Sequence, residues 1–341
     1  MIRLTAVLGA FAAAALLAGG GAHAQGGGSA TMDAIKARGQ LVCGVGGVVP
    51  GFSIPDSQGV MRGLDADACR AVAAAILGDA TKVKFVPTTT TNRFTALQSG
   101  EVDFLVRTTT WTLGREANLG LLFAAVNYYD GTGFMVKKSL GVKSAKELDG
   151  ATICVQPGTS TELALGDYFR VNNLKFTPIL IADLPELRNA FLSGRCDAYS
   201  TDGSQLAGFR STQPNKDELV LLPETISKEP LGMMVRKGDD KFFDLVRWTF
   251  FAQLIAEEAG ITSKNIDSFA ASKVPDIRRL LGLEGDLGKA LGVDNKFAYD
   301  VVKQVGNFGE LWERNMTPLG VPRGINALWN KGGLQYAPPM R

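Results

Sequence analysis

The 341-residue chain carries one histidine, His23, and that residue stands in a segment expected to be removed. Without histidine no Ser-His-Asp or Cys-His nucleophile system forms. Zinc sites built on imidazole are excluded too, and the four cysteines are not paired at C-x-x-C spacing. No metal site is expected. A G-x-x-x-x-G-K-[ST] phosphate loop is also missing. Gly44-Val45-Gly46-Gly47 follows an expected strand, but Pro50 and Phe52 stand where a dinucleotide-binding unit would open its helix, so no cofactor is expected. Charge of one sign is lacking as well. Lys and Arg number 36 against 34 Asp and Glu, which does not favour nucleic acid as a partner. Acid–base chemistry by carboxylates stays open, but the losses tilt the reading toward binding.

What is present is ordinary globular composition, 45% hydrophobic and 21% charged, over a length sufficient for two domains. Residues 1–24 read as a secretory signal peptide. Arg3 precedes an apolar run from Leu4 to Ala18, too short to span a bilayer comfortably, and Ala22-His23-Ala24 fits an A-x-A cleavage site. The alternative is an uncleaved anchor. Cleavage would start the mature chain at Gln25, and no cysteine stands at the cleavage site to carry a lipid. Cys43, Cys69, Cys154 and Cys196 make an even number in a secreted chain, so disulfides are expected. Of three possible pairings, Cys43–Cys69 with Cys154–Cys196 keeps each bridge inside one structural half. Four buried thiols are the alternative.

An internal repeat organises the chain. Strand patterns over Gln40–Val45, Lys82–Pro87 and Val102–Val106 alternate with helix patterns over Asp65–Leu77 and Arg93–Ser99. The order returns as strands Ala151–Val155, Thr177–Ile181 and Cys196–Ser200 with helices Thr161–Val171 and Leu184–Leu192. Each copy is β-α-β-α-β, the pattern of a parallel sheet with crossover helices. Ser99-Gly100-Glu101-Val102-Asp103 matches Ser193-Gly194-Arg195-Cys196-Asp197, with glycine as helix C-cap and aspartate tying down the next strand.

The chain crosses twice between the copies, through Tyr128–Val136 and Pro230–Arg236, which are extended, apolar and contain glycine. Amphipathic helices over Lys241–Glu258, Asp276–Leu281 and Asn295–Asn307 return to cover the first lobe. The expected domains are residues 25–130 for lobe 1, 131–235 for lobe 2, and 236–341 for the return with a helical extension. Two lobes joined by two strands imply a cleft between them.

Ligands of open α/β sheets bind beyond the carboxyl ends of the strands. Those positions supply Thr108, Thr110 and Arg115 from one copy, and Thr159, Ser160, Thr161 and Asp202 from the other, with Phe52 on a Gly/Pro-rich loop. Arg115 offers a planar fork for a carboxylate. Thr159, Ser160 and Thr161 offer hydroxyls and helix-start N–H groups that favour an anion, and Asp202 accepts from an ammonium. Together they match a zwitterion, whose burial is costly unless both charges are met. Singly, each has a plainer role: Arg115 a solvated helix start, Thr161 and its neighbours a cap, Asp202 a turn with Gly203, Phe52 core.

Gly63-Leu64-Asp65-Ala66-Asp67-Ala68, Thr108-Thr109-Thr110 with Arg115, Gly158-Thr159-Ser160-Thr161-Glu162 and Tyr199-Ser200-Thr201-Asp202 carry a resemblance. Together they resemble the periplasmic solute-binding proteins of polar amino-acid ABC importers. The tail, with Gly324-Ile325-Asn326-Ala327-Leu328-Trp329, is similar to the general L-amino-acid-binding branch. The resemblance implies an α/β, two-lobed type II periplasmic-binding-protein fold, each lobe a mostly parallel sheet flanked by helices, with two hinge strands. It implies a monomeric, non-enzymatic periplasmic component that passes free L-amino acids to an inner-membrane ABC permease. Where narrow-specificity relatives carry an acid or aromatic, Gly46–Val49 reads Gly-Gly-Val-Val, which implies a loosely read side chain. Two alternatives share this fold: a periplasmic dehydratase acting on arogenate or prephenate, marked by a spare carboxylate in the cleft, and a receptor reporting to a membrane sensor.

Overall fold

A computed structural model describes residues 28–341, so the expected signal peptide lies outside the described residues. The chain opens with helix α1 (Ala30–Arg38), strand β1 (Leu41–Val45) and the short ribbon β2 (Ile54–Pro55) and β3 (Met61–Arg62). Helix α2 (Leu64–Leu77), strand β4 (Val83–Pro87), helix α3 (Arg93–Ser99), strand β5 (Phe104–Thr110), helix α4 (Leu113–Asn118) and strand β6 (Leu121–Asp130) complete the first pass. The second region contains β7 (Thr132–Lys137), β8 (Ala151–Val155), α5 (Ser160–Val171), β9 (Phe176–Leu180), α6 (Leu184–Ser193), β10 (Ala198–Asp202), α7 (Gly203–Ser211) and β11 (Leu219–Leu221). Strand β12 (Glu229–Arg236) follows, then α8 (Asp240–Glu258), α9 (Pro275–Leu280), α10 (Leu287–Ala290), α11 (Phe297–Gln304) and α12 (Phe308–Asn315).

Two five-stranded sheets form, ordered β4-β1-β5-β12-β6 and β11-β7-β10-β8-β9. In each, four strands run in one direction and a single strand, β12 in the first and β7 in the second, runs against them, so the sheets are mostly parallel as expected. The orders superpose when the second is read backwards. Strand β12 in the first sheet takes the place that β7 takes in the second, so the lobes exchange strands at two crossings. Because β12 pairs with β5 and β6, the chain returns to the first lobe near Glu229 and not at residue 235, the expected limit of lobe 2.

The repeat extends to its hydrogen bonds. Asp103 accepts from the Val42 N–H at 2.8 Å, and its counterpart Asp197 accepts from the Thr152 N–H at 2.8 Å. Each aspartate thus locks the start of the third parallel strand to the first. Gly100 and Gly194, both left-handed, cap the preceding helices as expected. Disulfides join Cys43 to Cys69 and Cys154 to Cys196, each inside one lobe. A bridge of this kind contributes on the order of 2–4 kcal/mol.

The acids of the Gly63-Leu64-Asp65-Ala66-Asp67 motif are buried and serve the fold. Asp67 accepts from Arg314 Nη2 at 2.8 Å and Asn315 Nδ2 at 2.7 Å, tying α12 to α2. Gly63 enters α2 at φ 122°, and a Cβ there would lie 2.2 Å from the Phe52 carbonyl, so no other residue fits. The C-terminal tail closes the exposed edge of β6. Asn326 accepts from the Tyr129 N–H at 2.7 Å and donates to its carbonyl at 2.9 Å, as a neighbouring strand would. The expected helix over Asn295–Asn307 is shorter, because Asn307 caps α12 in a capping box. Among the described residues no helix is long and apolar enough to cross a membrane.

Candidate ligand-binding cleft

Strand β5 runs four residues beyond the expected Val106 and carries the first wall of the cleft. Its pairing with β12 slips between Leu231 and Met233, and Thr108 sits in the resulting bulge at φ 38°, a strained value for threonine. Asp65 supports the bulge by accepting from the Thr108 N–H at 3.2 Å, while Asn127 Nδ2 donates to its other oxygen at 3.2 Å. Burial pushes the Asp65 carboxyl up to about 6, its hydrogen bonds only partly opposing this.

The cleft encloses about 20 Å³, and every residue lining it is polar. Thr108, Thr110 and Arg115 line it from the first lobe; Thr159, Ser160, Thr161 and Asp202 line it from the second. Seven of the eight expected ligand residues therefore converge. Phe52 does not. It is fully buried, edge-on to Tyr128 at 5.2 Å, because the Gly63 turn folds the loop under α2. The Gly46–Val49 loop does not line the cavity either. Ser53 Oγ holds its Gly46 and Gly47 N–H groups, each at 3.1 Å.

Thr159 touches the cavity, but its hydroxyl is used for capping: it accepts from the Glu162 N–H at 3.1 Å and donates to the Gln156 carbonyl at 2.8 Å. What α5 offers an anion is its first N–H groups, at Ser160 and Thr161, which have no carbonyl one turn back. Arg115 is anchored by one arm, Nη1 donating to the Thr110 carbonyl at 2.7 Å, and its guanidinium lies 5.3 Å from the Phe94 ring centroid.

Two further arginines line the cavity, and the sequence reading assigned neither to the ligand. Arg107 donates from Nε to the Thr88 carbonyl at 3.0 Å, and burial pushes its guanidinium down to about 10. Arg93 is 2% exposed, stacked 4.7 Å from the same Phe94 ring, and its buried Nε and Nη2 have no partner among the described residues. Burial, then the charges of Arg107 and Arg115, push it well below the usual arginine range. Its place at the start of α3 looks like any helix-start arginine; the one available signal was its proximity to a strand end already rich in cations.

Opposite these stands Asp202, the one carboxylate lining the cavity among the described residues. Burial, then the nearby Asp130 and Glu229, push its carboxyl well up. Gln205 Nε2 donates to it. Thr110 Oγ1 and Ser160 Oγ meet at 2.9 Å across the cleft, and Arg188 Nη1 of the second lobe donates to Val48 O of the first at 2.9 Å. The lobes are closed on each other.

Two lobes exchanging strands, with a polar cleft at the crossing, define a type II periplasmic-binding-protein fold built to enclose a small charged solute. The chain belongs to the bacterial extracellular solute-binding proteins, family 3, whose pattern matches residues 41–265. It is 55% identical over 344 residues, all of both chains, to the glutamate/glutamine/aspartate/asparagine-binding protein BztA of Rhodobacter capsulatus. It is 53% identical to the general L-amino acid-binding periplasmic protein AapJ of Rhizobium johnstonii, over 98% of this chain and 99% of that one. Among solved structures it resembles an ABC transporter periplasmic binding protein from Brucella ovis with glutathione bound. The TM-score is 0.89 and the identity 52%, covering 91% of this chain and 99% of that one.

Proposed function

We propose that the protein captures free L-α-amino acids over a broad range of side chains, glutamate, aspartate and their amides among them, and delivers them to an inner-membrane ABC permease from the periplasm. One observation carries this reading: Arg115 on one lobe and Asp202 on the other face the same small, wholly polar cavity. Arg115 and the first N–H groups of α5 suit the α-carboxylate, and Asp202 suits the ammonium. Arg93 lines the same cavity and has uncommitted donors to meet an acidic or amide side chain. Supporting this, the relatives named above are amino-acid-binding proteins.

Asp202 is taken by the amine in this scheme, and among the described residues the lining holds no second carboxylate for general acid–base work on arogenate or prephenate. That favours binding over dehydration. Residues 1–24 act as the cleaved export signal in this reading, and N-terminal sequencing of the secreted protein should begin at Gln25. A thermal-shift and calorimetric screen tests the function, using the amino acids with glutathione included, beside a turnover assay on arogenate and prephenate. Stabilisation by several L-amino acids without turnover is expected. Turnover, or no response to any amino acid, would overturn the reading.

A further inference from the structure

Glu229 opens β12, opposite Asp130 in the ladder, at the joint where both crossing strands pass, and it is 1% exposed. Its carboxylate accepts from four hydroxyls. Thr110 Oγ1 comes from the first lobe. Ser160 Oγ at 2.7 Å and Thr132 Oγ1 at 3.2 Å come from the second, and Ser227 Oγ from the segment just before β12. No Lys or Arg forms an ion pair with it among the described residues. An ionised carboxylate only accepts, at about four positions; here hydroxyls take them all.

A hydroxyl has one proton to give. Thr110 and Ser160 both line the cavity, both contact the same oxygen of Glu229, and they stand 2.9 Å from each other, so their two protons are used up among these three groups. Toward the cavity each then presents lone pairs alone. We propose that Glu229 is a positioning residue that fixes the Thr110 and Ser160 hydroxyls as acceptors for the ligand's ammonium. With Asp202 they make three acceptors for an ammonium's three N–H donors. This rests on the amino-acid reading of the cleft and assigns Ser160 to the amine end, where the sequence pattern suggested the carboxylate end. An apolar residue at position 229 would free both hydroxyls to donate into the cavity.

The test is calorimetry on Glu229→Met with L-glutamate and with glutarate, which lacks only the ammonium. Loss of about tenfold or more for L-glutamate is expected, with glutarate unchanged within about twofold, because charge-linked hydrogen bonds to the ammonium alone are weakened. Equal loss for both, or for neither, overturns the proposal. Thr110→Val gives the second readout. It should cost affinity for L-glutamate in the wild-type background and little more in Glu229→Met, since one residue acts through the other; additive losses overturn it. Should Glu229→Met fail to fold, Glu229→Gln keeps the shape and leaves a weaker acceptor, and an intermediate loss confined to L-glutamate is expected, equal effects on both ligands again being contrary. Wild-type protein that does not bind L-glutamate refutes the amino-acid reading, and this proposal with it. Wild-type binding with unchanged variants refutes the role of Glu229 alone.

Discussion

Thr110 Oγ1 of the first lobe and Ser160 Oγ of the second stand 2.9 Å apart, so the closed cleft leaves only about 20 Å³ between its walls. That is room for roughly one water. An amino acid enters only if the lobes part, and the crossings at Asp130–Thr132 and Ser227–Glu229 are where the chain must bend.

Gly131 is the tightest point of that hinge. A Cβ there would fall 2.2 Å from Thr225 Cγ2 and 2.8 Å from the Ser227 carbonyl. Gly131→Ala is therefore expected to destabilise the closed protein by about 1–3 kcal/mol, the usual range for overpacking. Thermal denaturation checks this; an unchanged melting temperature would show that the hinge relaxes freely.

Arg115→Ala should weaken all amino-acid ligands together, by about 2–5 kcal/mol if the α-carboxylate is left unpaired in the closed cleft. Arg115→Lys should also weaken them, because an ammonium cannot reproduce the fork. Calorimetry showing wild-type affinity in either variant would remove Arg115 from the site.

Arg93→Leu separates acidic from neutral ligands. It removes a buried guanidinium whose one hydrogen bond is a long one, Nη1 to Thr109 Oγ1 at 3.4 Å, and whose Nε and Nη2 have no partner among the described residues, so the variant should be no less stable than wild type. Affinity for glutamate and aspartate should fall by about 1.5–3 kcal/mol, the value of a hydrogen bond to a charged group, with alanine little affected. A uniform loss over all ligands would contradict a side-chain role.

Asp202 makes binding pH-dependent. Burial and two neighbouring carboxylates raise its proton affinity in the protein alone. An ammonium beside it favours the ionised form, so binding releases a proton and affinity rises with pH through the raised range, then levels off. The zwitterion keeps its charges throughout, so Asp202→Asn should flatten the profile. Calorimetry in buffers of different ionisation enthalpy would reveal the proton; no release on the acidic side would count against Asp202.

Much of this was legible in the sequence, and the misses share a cause. The β-α-β-α-β repeat declared itself by periodicity, and the offset that equates Asp103 with Asp197 also equates their hydrogen bonds. Strand β5 outran its expected end because its antiparallel partner β12 arrives 119 residues later, Thr110 next to Glu229, and no local pattern announces it. Arg93 and Glu229 escaped notice for the same reason: an arginine opening a helix and a glutamate before Pro230 become site residues only when the crossings bring distant segments together. Phe52 went the other way. Its exposed-looking loop is drawn into the core by the Gly63 turn.

Small-angle X-ray scattering with and without saturating L-glutamate tests most directly whether one ligand is gripped by both lobes. Arg115 and Asp202 stand on opposite walls, so a ligand that engages both stabilises the closed form by its differential contacts. The radius of gyration should shrink on binding, and Asp202→Ala should lessen the change. A radius of gyration that stays constant while calorimetry shows the site filled would contradict closure around the ligand.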